Sequence, residues 1–160
     1  LSQYWRDDLG GFFLGCSHSF EEALMNGGVP MRHIDNDCMV SAYDSGIECV
    51  PSGVFHGNMV VSGRSIPADK VAKAVQITSR YPGVHGAPVH IGDPSAIGVD
   101  FLQPTYGAPP QPSPGDVPVF WACGITPQLV ARNSKVDFLI SHAPGAMFIT
   151  DVPNEHLASL

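Results

Sequence analysis

"NMVVSGRSIPADKVAKAVQITSR", residues 58–80, contains the change of period on which the fold turns. Asn58 to Gly63 is a short apolar run with two adjacent valines and reads as a strand. Beyond it the spacing becomes helical. Val71, Ala74, Val75 and Thr78 share one face at i, i+3, i+4 and i+7, while Lys70 and Lys73 point elsewhere. Pro67 suits the first turn of that helix. A strand leading straight into an amphipathic helix predicts a helix packed on the strand's own sheet.

Working outward, "GGFFLGCSHSFEEALMNGG" (10–28) reads as an apolar run, a break at Gly15 and a helix over about Phe20–Asn26 that stops at Gly27–Gly28. Ser19 and Glu22 have the spacing of a capping box. Downstream, "VPVFWACG" (117–124) is a buried-looking strand, and "TPQLVARN" (126–133) opens a helix with Thr126 as N-cap and Pro127 in its first turn. "FLISHAPGAMFITDV" (138–152) reads as two strands around a Pro144–Gly145 turn. Six prolines between Gln103 and Pro118 predict an extended surface loop over 103–118. The order of elements, roughly β-α-β-α-β-α-β-β, predicts a mixed α/β (α+β) domain. Its mixed sheet carries packed helices and many Gly/Pro loops, in one unit over 1–160.

Composition narrows the function. A net charge of −7 with only eight Lys plus Arg argues against nucleic acid and against an anionic membrane surface. No apolar run approaches the ~20 residues that span a bilayer. The four cysteines form no CxxC pair, which excludes a zinc ribbon or thioredoxin motif. Sparse cysteines read as reduced thiols and place the chain in the cytoplasm, with the mitochondrial matrix as the alternative. A Cys38–Cys49 disulfide is the minor reading. Neither GxGxxG nor a P-loop is present, so no cofactor is expected.

The chemistry-bearing residues gather around "HGAPVHIGDP" (85–94). His85 and His90 are candidate general acid–base groups, because histidine titrates near neutrality. Gly86 and Pro88 between them leave room for convergence. The pair lacks the spacing of HExxH, so a divalent metal held by the His/Asp set is an option that the spacing does not indicate. Asp93 serves equally as N-cap of "DPSAIG" or as a carboxylate orienting a histidine. Cys123, after a buried strand and before a helix, stands where a thiol can be activated. With Cys16 it forms a candidate two-thiol pair if the fold brings them together. His142 stands at a strand end beside a turn. For binding, Cys16, Ser17 and Ser19 lie at a helix entrance, Thr126 at another, and Arg64 can clamp a carboxylate. Glu21 and Glu22 are weaker carboxylate candidates. His18, His56 and His156 read as structural or exposed, and His33 is undecided.

Taken together, "WRDDLGGFFLGCSHSFEEAL" (5–24), "RHI" (32–34), "HGNMVVSGR" (56–64), "ITSRYPGVHGAPVHIGDPSAIG" (77–98), "VPVFWACGITPQ" (117–128) and "SHAPGAMFITD" (141–151) resemble the hydro-lyase family that includes D-glutamate cyclase-like proteins. The resemblance runs from about Trp5 to Leu157. It implies a lyase or cyclase acting on a small carboxylate metabolite, such as closure of D-glutamate to 5-oxo-D-proline with loss of water. A cofactor-independent racemase or isomerase and a non-catalytic small-molecule binding module are the alternatives. The resemblance implies a further N-terminal segment that this sequence does not include, as a shortened relative or as a fragment, and a homodimer or a second chain over the surface it would cover is expected. Several positions depart from the family's usual residues. Ala146 replaces a histidine, Asp44 an arginine, Gly63 a methionine and His18 a phenylalanine. Loss of a cation at 44 suits a substrate less anionic than glutamate.

Overall fold

The computed structural model describes residues 1–143 and 145–159. Its centre is a four-stranded antiparallel sheet in the order β1-β2-β4-β3, formed by Ser41–Glu48 (β1), Asn58–Pro67 (β2), His90–Ile91 (β3) and Asp116–Ala122 (β4). The mixed α/β class expected from the sequence holds, with a sheet that is antiparallel throughout rather than mixed. Four helices accompany the sheet: Glu21–Asn26 (α1), Arg32–Asp35 (α2), Val71–Thr78 (α3) and Thr126–Asn133 (α4). Among the described residues, no helix is long and apolar enough to cross a membrane.

β2 is the central strand and is buried on both faces. Its alternation sorts the core. Val60, Arg64 and Ile66 turn toward the helices. Ile66 joins Phe20, Leu24, Ala74, Val119 and Trp121 in one cluster, and Val60 packs with Leu129 of α4. Val61 turns the other way, to Tyr43, Ile97, Val99 and Phe120. Phe120 and Trp121, consecutive on β4, therefore anchor opposite sides of the sheet. α3 buries Ala74 and Thr78, and the Thr78 hydroxyl accepts the indole N–H of Trp121 at 3.1 Å. Arg32 of α2 donates twice to Asp116, at 3.1 and 3.2 Å, and ties that helix to the start of β4.

Several local expectations are corrected. Pro67 ends β2, and a 3-10 turn, Ala68–Lys70, intervenes before α3. The capping box does not form. Ser17–Phe20 is a 3-10 turn continuous with α1, so Ser19 lies inside the turn and its N–H goes to the Cys16 carbonyl. Thr126 is the first helical residue of α4, and Ile125 takes the cap position. Strand β1 replaces a segment with no strong strand signal. The two strands expected over 138–152 are not strands among the described residues, and the turn between them involves Pro144, outside those residues. The segment is apolar, but among the described residues it pairs with no other strand, and its Ala146 N–H turns back to the Ala143 carbonyl at 2.9 Å. It lies along the surface with Phe148 against Phe13 at 5.6 Å between ring centroids.

Candidate functional site

The first informative side chain is Arg64, whose side chain is only 2% exposed. β2 directs it under α1, between the rings of Phe20 and Trp121 at 5.6 and 5.3 Å. Such a charge requires a partner in the interior, and Glu21 supplies it. The guanidinium donates through Nε (2.9 Å) and Nη2 to Glu21 Oε1, and to the hydroxyls of Ser62 (3.1 Å) and Ser17 (3.0 Å). Two imidazoles complete the surroundings of Glu21. His18 Nδ1 lies 2.7 Å from Oε2, and His33 Nε2 lies 3.0 Å from Oε1. Burial pushes the Glu21 carboxyl up, but the contacts from His18 and His33 and the charge of Arg64 outweigh it. They hold the group far below the usual carboxylate range.

Beside this network opens a cleft of about 320 Å³, lined by Gly15, Met59, His85, Cys123, Gly124 and Thr126 among others. That volume lies at the lower end of small-molecule sites. His85 lines it from a left-handed backbone, at φ +87°, a conformation costly for a residue with a Cβ. Its Nε2 is buried and without a hydrogen-bond partner. Burial lowers the His85 pKa, the Gly15 carbonyl opposes that shift, and the Arg64 charge reinforces it. The ring is therefore neutral at neutral pH.

Two thiols stand nearby. A Cβ on Gly124 would lie 3.4 Å from the Gly15 carbonyl oxygen, so the chain segments carrying Cys16 and Cys123 meet. Burial raises both thiol pKa values against the pull of adjacent backbone N–H groups and of Arg64, and Cys16 raises Cys123 further. Both are thiols rather than thiolates at neutral pH. All four cysteines are free. Gly15 is fixed by close approach, because a Cβ there would fall 2.3 Å from the Gly83 carbonyl oxygen.

Of the residues singled out from sequence, the fold brings His85, Cys123 and Thr126 to the cleft wall, with Cys16 adjoining. It places Ser17 and Arg64 in the buried network. The Thr126 hydroxyl is engaged with backbone, accepting Val60 N–H at 3.0 Å and donating to the Cys123 carbonyl at 2.8 Å. Ser19 is half-buried in the 3-10 turn. The others lie apart. His90 packs on Phe120 at 5.9 Å, and its Nε2 meets the Asp93 carbonyl at 2.7 Å. The Asp93 carboxylate caps the next turn through Ser95, at 2.9 Å to both N–H and hydroxyl. His142 is exposed, with Nδ1 2.7 Å from the Ala143 carbonyl. His85 and His90 thus do not converge. Glu21 was underrated by its sequence. The available signal was its place between Phe20 and Leu24, on the stripe that α1 buries.

A family model described as D-glutamate cyclase matches residues 11–151. The chain belongs to the D-glutamate cyclase family. It is similar to "Putative hydro-lyase YcsI" of Bacillus subtilis, at 53% identity over 161 residues, 100% of this chain and 63% of that protein. A "Putative hydro-lyase" of Thermoanaerobacter sp. is 55% identical over 159 residues, 99% of this chain and 60% of that protein. Another, of Corynebacterium glutamicum, is 56% identical over 152 residues, 94% and 58% of the two chains. The chain spans about three fifths of the length of these relatives.

Gly63, Asp44, Ala146 and His18, singled out in the sequence, have distinct settings. Gly63 sits where a Cβ would come within 2.8 Å of Tyr43 and 3.0 Å of Phe120, so aromatic rings fill the space beside it. Asp44 is exposed on β1, away from the cleft lining. Ala146 is exposed and adjoins Met147, whose sulfur lies 3.4 Å from Cys16 Sγ. His18 contacts Glu21.

Proposed function

We propose that the cleft is the reacting centre of a lyase or cyclase for a small carboxylate-bearing metabolite, with D-glutamate closing to 5-oxo-D-proline as the reference reaction. The carrying observation is His85 on the wall of a metabolite-sized cleft, a neutral imidazole whose buried Nε2 has no hydrogen-bond partner.

In lactam closure the substrate ammonium loses a proton and its nitrogen attacks the side-chain carboxyl carbon. A C–N bond forms, a C–O bond breaks, and water leaves. Neutral His85 accepts the ammonium proton and passes it to a carboxyl oxygen; after the attack it takes the second N–H proton and delivers it to the resulting hydroxyl, which leaves as water, so the base is regenerated. The Cys123 thiol, protonated because it is buried, donates a hydrogen bond to the oxygen on which charge develops. Arg64, whose N–H groups are held by Glu21, Ser17 and Ser62, stands behind the cleft with its charge matched by Glu21.

The test is proton NMR of the purified chain with D-glutamate and with 5-oxo-D-proline, beside His85→Ala and His90→Ala. Interconversion lost in the first variant and retained in the second supports the reading. Folded protein without interconversion, or full activity in His85→Ala, overturns it. The meeting of the Cys16 and Cys123 segments favours a second reading, proton exchange at a carbon acid between two thiols. The same samples in D₂O separate the two, because that chemistry exchanges the α-proton without forming the ring.

A further inference from the structure

Glu21 gathers more than Arg64 needs. His18 reaches it from the 3-10 turn and His33 from α2. The three potential ligand atoms of His18, Glu21 and His33 all lie within 4.8 Å of one another. His33 Nε2 is shielded from solvent and lies 3.0 Å from Glu21 Oε1 without an aligned hydrogen bond. The desolvation of a buried ring nitrogen so placed is compensated only in part, by its contact with the carboxylate. The His18 side chain is 38% exposed, so the cluster opens to solvent on one side.

We propose that His18, Glu21 and His33 bind a first-row divalent cation of the Zn²⁺ or Mn²⁺ class. Two imidazoles and one carboxylate are a donor set those ions accept, with at least one position left for an outside ligand. Arg64 is the supporting partner of the carboxylate, fixing its orientation through Oε1 while Oε2 faces His18. The charge balance also selects the outside ligand. The negative charge of Glu21 is already matched by Arg64, and the imidazoles bind in neutral form, so a dication there attracts an anion such as hydroxide or a carboxylate.

The experiment is equilibrium dialysis of the whole chain against Zn²⁺, with Co²⁺ spectra as the structural readout. Wild type should take up one equivalent and show Co²⁺ ligand-field bands without a thiolate charge-transfer band. His18→Phe, at a half-exposed position, should weaken uptake at least about tenfold, and a Cys16→Ser/Cys123→Ser variant should leave it unchanged. No uptake by wild type, equal uptake by His18→Phe, or a thiolate band that disappears in the cysteine variant overturns the assignment. Metal uptake is read without turnover, so this result stands apart from the reaction proposed for the cleft.

Discussion

Replacing Glu21 by glutamine keeps the volume and one acceptor oxygen while removing the charge that balances Arg64. The guanidinium cannot escape to water, because its side chain is 2% exposed and lies between Phe20 and Trp121. Removing one partner of a buried pair costs about 3–5 kcal/mol. The hydroxyls of Ser17 and Ser62 still solvate the cation, which puts the expectation at the lower end, about 3 kcal/mol. That is a change of roughly a hundredfold or more in the unfolding constant. Urea unfolding at neutral pH measures it as a fall in midpoint with unchanged slope. Glu22→Gln, at the exposed neighbouring position, should stay within about 0.5 kcal/mol of wild type. The pH dependence has a definite sign. The folded-state pKa of Glu21 is depressed below its ordinary 4.5, so its stabilisation is present above that pH and is lost as the pH falls below it. The wild-type and Glu21→Gln curves should therefore converge in acid. A Glu21→Gln loss under about 1 kcal/mol, or a gap that persists undiminished well below pH 4.5, would refute the assignment of Glu21 as the charge partner of Arg64.

Other expectations follow from single positions. At His85, with φ +87°, His85→Gly should be more stable than His85→Ala by about 0.5–1 kcal/mol, because relief of left-handed strain exceeds the entropic cost of glycine. Chemical denaturation of the two variants decides this, and an alanine variant as stable as the glycine one removes the strain. The lowered His85 pKa places the acid limb of cleft activity below the ordinary histidine value of 6.5, and a pH–rate profile breaking at or above that value contradicts a desolvated base. Gly63→Ala should destabilise by about 1–3 kcal/mol, since its Cβ would meet Tyr43 at 2.8 Å, and a neutral effect in thermal unfolding would show that the rings yield.

The strand-to-helix switch at 58–80 was legible because periodicity survives any tertiary context: β2 and α3 occupy the expected stretches. The apolar 138–152 segment misled for the complementary reason. Periodicity reports which residues avoid water, but a strand also needs a hydrogen-bonding neighbour, and sequence does not say whether one is available. β1 was hidden by Asp44, Ser45 and Gly46, residues poor in strand propensity. There pairing with β2, Ser41 opposite Gly63 through Asp44 opposite Val60, overrides local preference.

The site was legible one residue at a time and not as a set. "HGAPVHIGDP" promised His85, His90 and Asp93 together, yet β3 begins between the histidines and sends His90 to the Phe120 side, where the Asp93 carbonyl takes its ring nitrogen. The bland reading of Asp93 as a cap is the one its side-chain bonds to Ser95 express. Arg64 shows the opposite error. A lone arginine at a strand end reads as a surface clamp, but the alternation of β2 turns it inward, and only an acid on the facing helix can then make it tolerable. Glu21 on α1 meets that requirement. Burial is the main influence on His85 and both thiols, and the Arg64 charge adds to it at His85 and opposes it at Cys16 and Cys123, so a residue outside the cleft wall still acts on the groups that line or adjoin it. That coupling is invisible in sequence because it joins positions 16, 64, 85 and 123 through packing alone.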